Sequence, residues 1–87
     1  MVITLYSTQG CHLCEQAYQL LVQAGVQDRV QTIDIALDDA LFSRYGVTIP
    51  VLSLSHIPSV ELNWPFDITQ LRDWLSHNNL VTQDGIN

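Results

Sequence analysis

Val2-Ile3-Thr4-Leu5-Tyr6-Ser7-Thr8-Gln9-Gly10-Cys11-His12-Leu13-Cys14 is the segment around which the rest of this chain is arranged. Residues 2–6 are almost continuously apolar, which suits a strand covered on both faces. Ser7-Thr8-Gln9-Gly10 supplies turn residues, and a helical pattern opens at Cys11. Cys11 and Cys14 are the chain's only cysteines. Two intervening residues across a helix start let the sulfurs approach, so the pair can cycle between dithiol and disulfide. The partial positive charge of a helix N-terminus favours the thiolate of the first sulfur.

Outward from this segment, Leu13, Ala17, Leu20, Leu21 and Ala24 recur at spacings of three and four, predicting an amphipathic helix that Gly25 stops. Val30 to Ile35 alternates as a second strand. Asp38 or Asp39 caps a short helix through Tyr45, closed by Gly46. Pro50 to Leu54 and Ser59 to Leu62 are two further strands, joined through Ser55-His56-Ile57-Pro58 as an antiparallel hairpin. Asp67 caps a last helix whose apolar stripe is Ile68, Leu71, Trp74 and Leu75, with Gln70 placed for a capping box. The polar tail after about residue 78 is expected to fray. The order β-α-β-α-β-β-α, with a right-handed first crossover, gives an α/β protein of thioredoxin-like type: a four-stranded mixed sheet flanked by helices. With no linker or repeat, residues 1–87 are read as one domain.

Composition narrows the function. Nine acidic residues face Arg29, Arg44 and Arg72, no lysine is present, and the formal charge is −6. Phosphate neutralisation needs basic residues, so this charge balance argues against nucleic acid as a partner. No apolar run reaches the roughly 20 residues of a membrane span, and no secretory signal opens the chain, so a cytoplasmic, soluble monomer is expected. There a two-cysteine motif points to catalysis or metal before a structural staple. Zinc takes four ligands, and His12, His56 and His77 do not complete a zinc pattern with the cysteines, so no metal is assigned. The acidity serves either solubility or the selection of basic partners.

The Cys-x-x-Cys helix start, followed by Thr48-Ile49-Pro50 at the head of a later strand, resembles the glutaredoxin branch of the thioredoxin superfamily. Tyr45-Gly46-Val47-Thr48-Ile49-Pro50-Val51-Leu52, followed by Glu61-Leu62-Asn63-Trp64-Pro65-Phe66-Asp67, is similar to a group of small, mostly bacterial glutaredoxin-like proteins. The resemblance implies that Cys11 is the nucleophile and Cys14 the resolving thiol. It also implies that Pro50 follows a cis peptide and that the Ile49 backbone pairs with an extended substrate. Tyr6, Thr48, Ile49, Pro50 and Asp67 are the implied substrate-binding residues. The implied substrate is a disulfide-bearing protein or a glutathione mixed disulfide, with no bound cofactor and either glutathione or a thioredoxin-reductase-like enzyme as the electron donor.

Several residues depart from that family's pattern. His12 replaces the usual proline after the first cysteine; either it tunes the Cys11 thiolate or it is a solvated helix-start residue. Glu15 either faces Cys14 or is solvated. Trp64-Pro65-Phe66 replaces a Gly-Gly turn, and no basic residue precedes Cys11, leaving Arg44 as the nearest candidate cation. Asp67 is expected to offer the last helix's N-terminus to an anionic ligand, while Trp64 and Phe66 either fill the groove or plug the strand–helix junction. Tyr6 either lines the groove or packs in the core. Two other roles remain for this architecture: a non-catalytic adaptor or regulatory binding protein, and an iron–sulfur carrier.

Overall fold

A computed structural model describes residues 2–54 and 57–78, with the side chains of 57–59 left aside. Its elements are β1 (Ile3–Ser7), α1 (His12–Gln23), β2 (Val30–Asp34), α2 (Asp39–Tyr45), β3 (Val51–Leu54), β4 (Ile57–Asn63) and α3 (Ile68–His77). Short 3-10 turns at Gln27–Arg29 and Ile35–Leu37 lead into and out of β2. The strands form a single sheet in the order β2-β1-β3-β4. β1 and β2 are parallel, while β3 is antiparallel to both β1 and β4. This is the expected mixed sheet with its helices, in a thioredoxin-like arrangement.

The alternation along β1 and β3 assigns the two sheet faces. Ile3 pairs with Leu54 and Leu5 with Leu52, and all four enter the main core with Ala17, Leu21, Leu71 and Leu75. Thr4 pairs with Ser53 and Tyr6 with Val51, facing the opposite side. There Ile35, Tyr45 and Val51 form a second, smaller cluster against which Tyr6, Leu41 and Ile49 pack.

The helix termini follow their sequence signals. The Asp38 carboxylate caps α2, accepting the N–H groups of Ala40 at 2.9 Å and Leu41 at 3.2 Å. Gly25 ends α1 at φ +77°. One expectation for α1 is corrected: Leu13 is 45% exposed. The inward stripe is Cys14, Ala17, Leu21 and Ala24, and in the first turn the inner cysteine takes the position Leu13 was expected to fill.

The β3–β4 hairpin is tighter than expected. β4 already begins at Ile57, which pairs with Leu54 across a register shift between Ser53 and Leu54. β2 ends one residue early, because Ile35 opens a 3-10 turn whose Ala36 N–H donates to the Asp34 carboxylate at 2.9 Å. The tail expected to fray and the connector residue His56 lie outside the described residues.

Candidate active site

The turn leaving β1 delivers Cys11 to the mouth of α1, just before its first residue His12. Gly10 makes that approach at φ +77°, a left-handed conformation that strains other residues. Cys11 is the N-cap of α1, and its Sγ accepts the Cys14 N–H at 3.2 Å. Helix starts leave such amides without backbone partners, so the sulfur satisfies one of them. Cys11 and Cys14 are joined as a disulfide with their Cα atoms 5.2 Å apart, inside the range this bond requires. Cys11 is half-buried, whereas Cys14 is only 3% exposed. The outer cysteine is therefore the more accessible member of the pair.

His12 is 90% exposed, with its Nδ1 3.9 Å from the Glu15 carboxylate one turn along the helix. The imidazole and Glu15 are thus solvent-side neighbours of the pair. Tyr6 packs rather than lines: its ring stacks on Tyr45, with centroids 4.4 Å apart and planes 20° apart.

Thr48, Ile49 and Pro50 follow α2 and reach the sheet end from which the redox turn springs, because Val51 pairs with Tyr6. The Ile49–Pro50 peptide is cis, as the resemblance implied, and Pro50 is buried while Thr48 is exposed. The N–H groups of Thr48 and Ile49 donate to the Tyr45 carbonyl at 2.9 and 3.1 Å, and the Thr48 hydroxyl donates to it at 3.3 Å. The expected free Ile49 backbone is therefore corrected on its donor side: the C-terminal turn of α2 already holds that N–H. Beyond Pro50, the Trp64 N–H donates to the Pro50 carbonyl at 3.3 Å and ties β4's end to this segment.

The expectation that Asp67 leaves the α3 N-terminus to an anion is also corrected. Its carboxylate accepts the Gln70 N–H at 2.8 Å, and its own N–H donates to Gln70 Oε1 at 2.9 Å. That reciprocal capping box fills the position with a negative charge. Phe66 is buried in the main core, and Trp64 packs edge-to-face on it with centroids 5.0 Å apart. The two rings are a plug at the strand–helix junction. The Trp64–Pro65 peptide is cis as well, which no sequence signal announced.

Arg44 faces β4: its Nη2 is 3.7 Å from Glu61 Oε2, and its guanidinium lies 5.3 Å from the Tyr45 ring centroid. The Tyr45 hydroxyl donates to the same Glu61 oxygen. Burial, reinforced by this hydrogen bond and by the Glu61 charge, pushes the Tyr45 pKa up to about 12. This Tyr6–Tyr45–Glu61–Arg44 group was missed in the sequence. It is gathered only where β1, β3 and β4 pair and α2 packs against them.

A hollow of about 320 Å³ opens directly on the sulfurs. Cys11 and Cys14 meet Ser7, Thr8 and Thr32 across it, with Glu15, Tyr18 and Gln19 along the α1 side. None of Tyr6, Thr48, Ile49, Pro50 or Asp67 lines it: the hollow approaches the pair from the β2 edge, and the proline segment from the β3 side. Among the described residues no group of three or more His, Cys, Asp or Glu is placed to hold a metal, and no helix is long and apolar enough to cross a membrane.

Sheet order, the Cys-x-x-Cys helix start and a cis-proline strand start at one sheet end define a thioredoxin-like protein. Thioredoxin 1 from Thermosipho africanus TCF52B shares this fold with a TM-score of 0.65 at 13% identity, over 91% of this chain and 94% of that one. The family model of the glutaredoxin-like domain (DUF836) matches residues 2–76, and the chain belongs to that family. The structural-genomics target protein XcR50 from X. campestris is 42% identical in its X-ray structure, with a TM-score of 0.78 over 87% of this chain and 97% of that one. Its solution structure gives 43% identity and a TM-score of 0.77, over 88% and 95% of the two chains. No curated protein matches the chain.

Proposed function

We propose that this chain is a thiol–disulfide oxidoreductase of glutaredoxin type, with Cys11 as nucleophile and Cys14 as resolving thiol, acting on protein disulfides or glutathione mixed disulfides. The observation that carries this reading is the asymmetry of the pair. Cys11 Sγ accepts a helix-start amide and its residue is only half-buried, while Cys14 is buried one turn inside. A sulfur so placed is stabilised as the thiolate, the attacking species in disulfide exchange.

In the dithiol state the Cys11 thiolate attacks one sulfur of a substrate disulfide. That bond breaks, the second substrate sulfur leaves as a thiolate and takes up a proton, and a mixed disulfide joins Cys11 to the substrate. Cys14 then loses its proton and attacks Cys11 Sγ, expelling the remaining substrate sulfur as a thiol and closing the Cys11–Cys14 disulfide. Two electrons have passed to the substrate. Two equivalents of a monothiol such as glutathione, or one dithiol, return them. Thr48-Ile49-Pro50 borders the incoming disulfide in this reading, with Thr48 the exposed member. Such a cycle suits the reducing cytoplasm.

The test is turnover of a glutathione mixed disulfide and of a peptide disulfide, in the presence of glutathione and glutathione reductase. Wild-type protein is expected to exceed Cys11→Ser on at least one of them. Equal rates on both would overturn the proposal.

A further inference from the structure

The side from which the hollow reaches the sulfurs carries a definite charge pattern. The hollow of about 320 Å³ beside Cys11 and Cys14 adjoins a second of about 200 Å³, and the two share Ser7, Thr8 and Thr32. Glu15 lines the first and Asp34 the second. The remaining polar groups on these walls are hydroxyls and amides, and none of the chain's three arginines lines either hollow. A ligand lying along both would find carboxylates flanking its path and neutral hydrogen-bonding groups between them.

Four groups that could hold an anion at this end of the sheet are already engaged. The Asp67 carboxylate takes an amide at the start of α3, the Cys11 sulfur takes one at the start of α1, and Arg44 is paired with Glu61. The Ile49 N–H belongs to Tyr45. An incoming carboxylate would find no unengaged cation among these and would face Glu15 and Asp34. We infer that the preferred substrate is a polypeptide disulfide with basic residues flanking its cysteine, seated along the β2 side of the pair with its cations toward Glu15 and Asp34. This rests on the redox reading above and narrows it. Like-charge approach is penalised and opposite-charge approach is steered, so the preference acts on the encounter with Cys11.

The test uses the reduced full-length protein and two homodimeric peptide disulfides, identical except that lysines or glutamates flank the cysteine. Each rate of reduction is divided by the rate of the same peptide with dithiothreitol, a neutral dithiol, which removes intrinsic reactivity. The lysine peptide is expected to be favoured about tenfold or more near 20 mM salt, with most of that preference lost near 500 mM, as expected of a screened interaction. Glu15→Gln combined with Asp34→Asn is expected to bring the lysine-to-glutamate ratio toward one. Equal normalised rates, a preference for the glutamate peptide, or a ratio untouched by the double substitution would each overturn the inference and leave the redox reading standing. Reduction of both peptides no faster than by Cys11→Ser would overturn the inference, and if the glutathione mixed disulfide were also turned over no faster, the redox reading would fall with it.

Discussion

The two faces of this sheet are held by different chemistry. Beneath α1 and α3, β1 and β3 present only Ile3, Leu5, Leu52 and Leu54, and the helices answer with Ala17, Leu21, Leu71 and Leu75. Beneath α2, the same strands present Thr4, Tyr6, Val51 and Ser53. That face is closed by the small Ile35–Tyr45–Val51 cluster, by a stacked tyrosine pair and by a hydroxyl–carboxylate hydrogen bond to Glu61. The first face gains its stability from removing apolar surface from water. The second orients: through the Tyr45 carbonyl it fixes Thr48 and Ile49, and so the segment that enters β3 beside the redox turn. The division teaches that the first face is held by bulk packing, while the proline segment is held by directed backbone bonds, to the Tyr45 carbonyl and from the Trp64 N–H.

Substitutions can break this contrast in graded steps. Leu52→Ala, in the apolar face, is expected to destabilise by about 2–5 kcal/mol in denaturant unfolding of the disulfide form. Tyr45→Phe keeps the ring stacking and removes only the hydroxyl, so a loss of about 1–2 kcal/mol is expected. The pH dependence sharpens the second case. Because the folded-state pKa of Tyr45 is raised to about 12, its contribution is intact below the unfolded value near 10 and is lost as pH rises through about 12. Absorbance titration should show one of the three tyrosines ionising last, and Tyr45→Phe should remove that step together with its share of the alkaline loss of stability.

Smaller effects are expected at the helix starts. Asp67→Ala removes the side-chain cap of α3 and should lower stability by about 1 kcal/mol in the same unfolding assay. His12→Ala, at an exposed position whose nearest charged neighbour is Glu15, should change stability by no more than about 0.5 kcal/mol.

Local signals carried much of this structure. Near-continuous apolarity in residues 2–6, the cysteine spacing, and the Asp67–Gln70 pair each specify their element through interactions within a few residues, and each is realised. The family resemblance added the cis bond before Pro50, which chain composition alone would not suggest. What was not legible depends on register. Tyr6, Tyr45 and Glu61 belong to three elements, and their meeting requires β1, β3 and β4 to pair in one alignment. Leu13 was misread because apolarity at helical spacing does not tell which of two adjacent residues in the first turn faces inward. The hollow on the β2 side was invisible for a similar reason: Thr32 is brought opposite Leu5 only by the parallel pairing of β1 and β2.

The central claim is that the sulfur at the start of α1 is both the more accessible and the activated member of the pair. Alkylation of the reduced protein by iodoacetamide across pH, with each cysteine resolved by mass spectrometry, tests it most directly. Cys11 is expected to react with a midpoint below about 8.5, the value of a free thiol, while Cys14 stays largely unmodified. A Cys11 midpoint at or above that value, or alkylation of Cys14 at a matching rate, would contradict the account.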